Sequence, residues 1–425
     1  MKRLFAILLC TVILLSLCSC TGSKKDSSTG TLLVGFGRTD ISPQEKVMLK
    51  GYYGYKNRFS GNILDPLYAT CVAFTDGDGN TILLYHLDLI GAGGSHMPFV
   101  CKDISDATGI PQFNIMMAGT HTHSAPFFTQ TDDAMNRYNE YLSKQMYDAA
   151  MLALEDRKPA QMYATSTIME NMNFVRHYRT ESGSVVGDNF GDKNSKVVGH
   201  VREPDKQLQL VRFKREGGKD VVLVNWQVHP HRTGGSLSTD VSADIVGSMR
   251  MYLEPRMDCY MAYFTGASGN LNPTSRISSE NITADYIEQG TMMAQKAIHA
   301  LDDMTKCQIG KVQILRRDQM AAKKGNAAKL ATYAFSLGDV AFITAPYEMF
   351  DTNGKFIKEN SPFPTTFVVT CANSGVGYIP AEWAYYEDVE AYEVYSYGFN
   401  KGVAEDLANG YVEMLNEIYT TRFGG

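Results

Sequence analysis

The sequence predicts a mixed α/β fold built on two packed β-sheets, and three observations lead there. Twelve β-type runs, most of them bounded by Gly, Asp or Asn turn signals, are spread along the 425 residues. Three long stretches with apolar residues at helical spacing accompany them. Once a leader and tether of about thirty residues are set aside, roughly 395 remain, more than one core usually supports, so the strands are expected in two sheets lying face to face.

The chain opens on a segment that is not part of that fold. Met1-Lys2-Arg3 is a positive n-region and Leu4 to Leu17 an apolar run of 14 residues, too short at about 1.5 Å per residue to cross roughly 30 Å of hydrocarbon. Residues 1–19 therefore read as a secretory signal peptide. The run ends in Leu17-Cys18-Ser19-Cys20, which resembles a bacterial lipobox and makes Cys20 the expected lipidation site. Residues 20–30, small and polar, read as a flexible tether. Loss of Lys2 and Arg3 with the signal takes the net charge from −6 to −8. The expected product is an acidic lipoprotein of the bacterial cell envelope, exported and held to the membrane on its periplasmic or cell-surface side by an N-terminal lipid. The basic footprint of a nucleic-acid binder is missing.

The β-type runs are Thr31–Phe36, Tyr68–Phe74, Thr81–Leu89, Phe113–Met117, Gln161–Thr167, Leu208–Phe213, Val221–Val228, Cys259–Phe264, Val312–Leu315, Ala331–Leu337, Val340–Thr344 and Thr366–Thr370. The second and third flank Asp76-Gly77-Asp78-Gly79-Asn80 and read as a hairpin. Helices are predicted over Asp132–Asp156, where Met135, Tyr138, Leu142, Met146 and Ala149 share one face, over Thr283–Asp302 and over Val403–Tyr419. Between Leu32 and Phe128 no helix is predicted. Arg179 to Pro204, rich in Gly, Ser, Asp and Asn, reads as the longest irregular stretch. Beyond Cys20 the cysteines are Cys71, Cys101, Cys259, Cys307 and Cys371. Their odd number, the lack of a CxxC pair and their apolar neighbours predict buried free thiols instead of a disulfide framework.

Nine histidines are present, and four fall into two clusters at the ends of strand-like runs. Gly119-Thr120-His121-Thr122-His123-Ser124-Ala125-Pro126 follows Phe113–Met117, and residues two apart on an extended backbone share a face, so His121 and His123 can converge on an ion or a substrate. Asn225-Trp226-Gln227-Val228-His229-Pro230-His231 ends a second run. Asp88, closing Tyr85-His86-Leu87-Asp88-Leu89, is placed either to bond the far nitrogen of a ligand histidine or to cap a turn. His231, Arg232 and Asp244 line a pocket or are solvated, and Trp383, Tyr385 and Tyr386 form either a substrate wall or ordinary packing. His86, His96, His177, His200 and His299 read as structural or exposed.

These segments, in this order, resemble the neutral/alkaline, non-lysosomal ceramidase family. Val34 to Pro43 (VGFGRTDISP), Asp65-Pro66-Leu67-Tyr68-Ala69, GTHTHSAP and NWQVHP match its first half, and Phe264 to Pro273 (FTGASGNLNP), Pro346 to Phe350 (PYEMF) and Gly377 to Pro380 (GYIP) its second. The likeness runs through residues 34–393, essentially all of the mature chain. It implies an α/β fold of two packed twisted β-sheets flanked by α-helices, with residues 31–425 as one large catalytic domain. Full ceramidases continue into an immunoglobulin-like domain, which this sequence is not expected to contain.

Residue by residue, the resemblance implies a zinc ion held by His121, His229, Glu348 and Tyr378. His123 matches the histidine that faces the substrate amide, Arg176 in NMNFVR the arginine that stabilises the oxyanion, and Tyr392 a second active-site tyrosine. One position departs from the family. Where it places a nucleophilic serine, Gly269-Asn270-Leu271-Asn272-Pro273 puts Asn272, and an amide cannot attack as a hydroxyl does. The expected reaction is hydrolysis of an N-acyl amide bond, in ceramide or another N-acylated substrate, by water activated on zinc, with Asn272 donating a hydrogen bond to the oxyanion. The rival reading is a catalytically inactive, zinc-containing binding lipoprotein. An HxH amidohydrolase barrel would need eight regular strand-helix repeats, which the pattern lacks.

Overall fold

The structure is a computed structural model that describes residues 31–52, 58–94, 96–129, 132–235 and 238–423. The expected signal peptide, tether and Cys20 lie outside the described residues.

Strands β1 (Leu32–Asp40), β2 (Tyr68–Asp76) and β3 (Thr81–Leu87) form an antiparallel meander. Helix α1 (Met97–Thr108) then crosses over to β4 (Ile115–Gly119), parallel to β3. Helix α2 (Asp133–Glu155), whose Asp132 cap accepts from the Met135 amide, leads back to β5 (Lys158–Ile168), antiparallel to β1. Next come the short strands β6 (Phe174–Val175), β7 (His177–Thr180), β8 (Val185–Gly187) and β9 (Val197–His200). Strands β10 (Gln207–Arg215) and β11 (Asp220–Trp226) form a hairpin, and α3 (Asp244–Met257) crosses over to β12 (Cys259–Thr265), parallel to β11. Strand β13 (Leu271–Asn272) pairs with β6, and beyond α4 (Tyr286–Ala300) the short β14 (Thr305–Lys306) pairs with β5. The order of this nine-stranded sheet is β12-β11-β10-β5-β1-β2-β3-β4, with β14 beside β5.

A second sheet holds β15 (Ile309–Lys323), β16 (Asn326–Gly338), β17 (Val340–Thr344) and, after the short β18 (Glu348–Met349) and helix α5 (Asp351–Asn360), β19 (Thr365–Val369) parallel to β17. The chain ends through β20 (Tyr378–Ile379), paired with β18, α6 (Tyr392–Tyr397) and α7 (Val403–Thr421).

The two sheets meet through Phe74, Phe213 and Phe264 of the first and Phe335, Phe342 and Phe367 of the second. The alternate residues of the large sheet face the helices: Cys71, Ala73, Leu83 and Tyr85 lie against α1 and α2, and Leu210, Val222, Val224 and Tyr263 against α3 and α4. On the small sheet Ala334, Ile343 and Val368 pack on α5 and α7. The result is a helix/sheet/sheet/helix stack, the two packed sheets flanked by helices that were expected. Both faces of β2 and β3 are covered, so these antiparallel strands read as continuous apolar runs without alternation. At Gly35 and Gly37 an added Cβ would lie 1.8 Å from the Ala153 carbonyl oxygen and 2.1 Å from that of Ala149, so only glycine lets α2 seat this closely on β1.

Two expectations are corrected. The stretch between Leu32 and Phe128 contains α1, and α3 escaped detection because Ile245 to Arg250 are all buried between sheet and α4. A helix covered on several sides shows no single apolar stripe. Arg179–Pro204 is not wholly irregular, since β7, β8 and β9 form a small antiparallel sheet. The five cysteines are free, four of them buried and Cys101 partly so.

Candidate metal centre and active site

Three pairs of parallel strands, β3/β4, β11/β12 and β17/β19, end at one place, and the loops leaving their carboxyl ends build the site. Hydrogen bonds stitch these ends together: Thr265 Oγ1 donates to the Thr120 carbonyl at 2.6 Å, the Thr370 amide to that of Thr265 at 2.9 Å, and the Gly119 amide to that of Cys371 at 3.2 Å. The β4 loop carries His121 and His123, the β11 loop His229 and His231, the β17 loop Glu348 and the β19 loop Cys371 and Tyr378.

His121 has a left-handed backbone, φ 70°, so it does not sit on the extended backbone expected for the HxH pair. The turn still brings the two rings to 5.1 Å between centroids, with His229 4.7 Å from His121 and 5.5 Å from His123. His121 is held by its amide on the Leu89 carbonyl at 2.9 Å and by Nδ1 on that of Ile90 at 2.7 Å. His229 Nδ1 faces the carbonyls of Ser268 and Leu271 at 2.9 and 3.0 Å. A carbonyl at Nδ1 leaves Nε2 with its lone pair, and both Nε2 atoms face the same oxygen, Glu348 Oε2, at 3.2 Å from His121 and 3.1 Å from His229. The Tyr378 hydroxyl is 3.4 Å from His229 Nε2. Zinc bonds of about 2.0–2.1 Å in a tetrahedron separate ligand atoms by roughly 3.3 Å, so these spacings suit that ion. One ring nitrogen each of His121, His123 and His229 lies within 4.8 Å of the others, close enough to hold a metal ion, which makes His123 an alternative third imidazole.

Burial sets the charges. It lowers His229 to about 3 and, with help from His121, holds His123 well below the usual histidine value, so both are neutral. Burial pulls His121 down as well, yet Cys371 and Glu348 lift it further than that. Glu348 stays far below the carboxylate range because His121 and His229 together outweigh its burial. Both ring nitrogens of His123 are buried without a hydrogen-bond partner among the described residues, unusual for atoms that have no further role.

Arg176 is 4% exposed, its Nε donating to Glu393 Oε1 and its Nη2 to the Gly269 carbonyl, each at 2.7 Å. Its guanidinium carbon lies 5.2 Å from the Tyr378 ring centroid. Glu393 also faces His177 Nε2 at 3.2 Å, and Arg176 and His177 hold its carboxyl at about 2 against the effect of burial. The Tyr392 ring is 5.7 Å from that of Tyr378. Asn272 is buried between two partners: its Oδ1 accepts from His231 Nε2 at 3.0 Å and its Nδ2 donates to Asp188 Oδ2. Donation to an oxyanion would compete with the second bond.

Asp88 serves neither expected purpose. It pairs with His86 Nε2 and Arg250, both at 2.9 Å, and accepts from the Tyr68 amide, and it bonds neither His121 nor His229. His200 pairs with Glu280 at 2.8 Å. Arg232 bonds Thr283 and Gln289, and Asp244 is buried, accepting from Thr233. Trp383 and Tyr386 pack around His177, whose Nδ1 meets the Tyr386 hydroxyl at 2.9 Å. Beside His121 and Glu348 opens a cavity of about 340 Å³.

No family model matches the sequence, and no curated protein matches it either. Solved structures do. A ceramidase complexed with C2 aligns over 93% of this chain and 76% of its own, with TM-score 0.73 and 14% identity. The neutral ceramidase from Pseudomonas aeruginosa aligns over 93% and 75%, with TM-score 0.72 and 14% identity. The chain has a neutral-ceramidase-like fold. Within this ceramidase-like fold GTHTHSAP, NWQVHP, FTGASGNLNP, PYEMF and GYIP, far apart in sequence, supply the loops around one cluster of histidines. Sequence reasoning missed Glu393 and Asp188 as partners of the site, for neither carries a spacing signal: they are defined only by the buried Arg176 and Asn272 they touch.

Proposed function

We propose that the chain is a zinc-dependent hydrolase of N-acyl amide bonds, with the ion held by His121, His229, Glu348 and Tyr378. The supporting observation is the single oxygen, Glu348 Oε2, that faces two imidazole nitrogens at 3.1 and 3.2 Å while the opposite nitrogens are turned to backbone carbonyls. Zinc in such a site supplies a water of lowered pKa and polarises a carbonyl oxygen. His123, neutral and with both nitrogens unbonded, accepts or donates a proton at the substrate amide. Arg176, kept cationic and fixed by Glu393, places positive charge beside Tyr378, where it favours a developing oxyanion. Tyr392 packs edge-on against Tyr378, and Asn272 orients His231 in place of a nucleophile.

The mature protein in this reading is residues 31–425 as one catalytic domain behind a tether, anchored in the bacterial envelope through a lipid on Cys20. Labelling with a radioactive or clickable fatty acid, lost in Cys20→Ser, tests the anchor.

A second reading, a zinc-containing binding lipoprotein without turnover, draws on Asn272, whose amide is engaged by Asp188 and His231. Metal analysis with an assay on short-chain and long-chain N-acyl substrates separates the two. Stoichiometric zinc with amide hydrolysis supports the enzyme; stoichiometric zinc with no turnover on any amide supports the binder.

A further inference from the structure

The cavity beside His121 and Glu348 has a one-sided charge. Its wall is mostly glycine backbone and apolar or aromatic side chains, Phe127, Phe128 and Tyr397 among them, and apart from Glu348 and His121, which face each other, its one ionisable amine or carboxylate among the described residues is Lys50. Glu348 is turned to the two histidines, so Lys50 sets the charge that a bound molecule meets. Its ammonium lies 5.0 Å from the Phe127 ring centroid, and among the described residues no carboxylate is within ion-pair distance of it. The backbone that presents it is fixed against the catalytic loop. The Lys50 amide donates to the Ala125 carbonyl at 3.1 Å, and at Gly51 a Cβ would come 2.6 Å from that of His123.

We propose that the substrate is a small N-acyl amide bearing a carboxylate, such as an N-acylated amino acid, with the carboxylate on Lys50 and the scissile amide toward His121 and Glu348. The inference deepens the amide-hydrolase reading and rests on it for the scissile bond. Size points the same way, since about 340 Å³ lies at the small end of ligand pockets. A lone ammonium on a flexible stem, with no arginine among the described lining residues, suits a singly charged group better than a doubly charged phosphate. Hydrolysis adds the elements of water across the amide, giving a free carboxylic acid and an amino acid, with no other co-reactant.

The test compares N-acetyl-L-leucine with N-acetyl-L-leucinamide, matched in shape and differing in charge, on the zinc-loaded mature protein, following release of the free amine. The acid is expected to show kcat/KM about tenfold above the amide, Lys50→Met to bring the ratio to about one, Lys50→Glu to invert it, and Lys50→Arg to retain it. A ratio near or below one in the wild type, or a preference that survives Lys50→Met because the carboxylate sits on the metal, overturns the proposal. If neither compound is turned over, the hydrolase reading fails for this class, and calorimetric binding of the same pair decides the pocket: tighter binding of the acid, abolished by Lys50→Met, supports it, and equal binding overturns it.

Discussion

His229 Nε2 lies 3.1 Å from Glu348 Oε2 although 119 positions separate the two residues in the chain. The same oxygen is 3.2 Å from His121 Nε2, so one carboxylate oxygen closes a triangle of donors drawn from three different loops. In the proposed zinc site, loss of any corner removes an ion ligand. His229→Ala and Glu348→Gln are each expected to weaken zinc by more than the roughly 10–100-fold that loss of an outer partner costs. Metal analysis after dialysis against a competing chelator measures this. With free zinc at about 100 times its dissociation constant, the wild type gains about 2.7 kcal/mol of stability that chelation removes, and the variants show no such difference. A wild-type protein that holds no zinc would sink the assignment.

Glu393 makes stability depend on acid. Its ordinary value is 4.5 and in the fold it is about 2, held down by Arg176 and His177. Above about pH 4.5 it is ionised in both states and its contribution is complete. As pH falls, the unfolded chain takes up a proton that the folded chain refuses until about pH 2, so up to about 3 kcal/mol is lost across that window. Urea midpoints from pH 5 to pH 2.5 should fall steeply in the wild type and less steeply in Glu393→Gln.

At pH 7 the same substitution leaves the Arg176 guanidinium buried without its counter-charge. Removing one partner of a buried pair costs about 3–5 kcal/mol. Equilibrium denaturation of Glu393→Gln measures that loss, and a change under about 1 kcal/mol would show the pair to be dispensable.

Asn272 joins Asp188 to His231. Asn272→Ala leaves both without this partner and is expected to cost about 1–3 kcal/mol. Asn272→Asp sets a second carboxylate against Asp188, which burial already raises above the usual range, and is expected to cost more at pH 7 than at pH 5. Thermal melts of the two variants at both pH values check the order.

Gly37→Ala drives a methyl group against the Ala149 carbonyl, where the gap is 2.1 Å. Overpacking of this kind costs about 1–3 kcal/mol or more. Gly199→Ala, with nothing within 4 Å of the added carbon, is expected to stay within about 0.5 kcal/mol in the same denaturation experiment.

Strand positions were legible because their signal is local. Tyr68–Phe74, Cys259–Phe264 and Val340–Thr344 are short apolar runs between turn residues, and each lies in an observed strand. Helix α2 announced itself by one apolar face, and the structure adds its Asp132 cap. Helix α3 did not, since burial around its circumference leaves no contrast between faces. The histidine pairs were legible as clusters, yet the reason first assigned to His121 and His123, an extended backbone, is not how they meet.

By itself the sequence determined most of the core strands, the helices with one apolar face and which loops hold the histidines, because periodicity and turn chemistry act over a few residues. The tertiary structure alone decided that Glu348 faces His121 and His229, that Arg176 is neutralised by Glu393 217 positions away, that Asp88 serves His86 and Arg250, and that Asn272 is clamped by Asp188. These pairings arise where the carboxyl ends of three parallel strand pairs are brought together by the packing of two sheets. Burial then makes each charge depend on the one neighbour that it meets there, and no spacing along the chain encodes that neighbour.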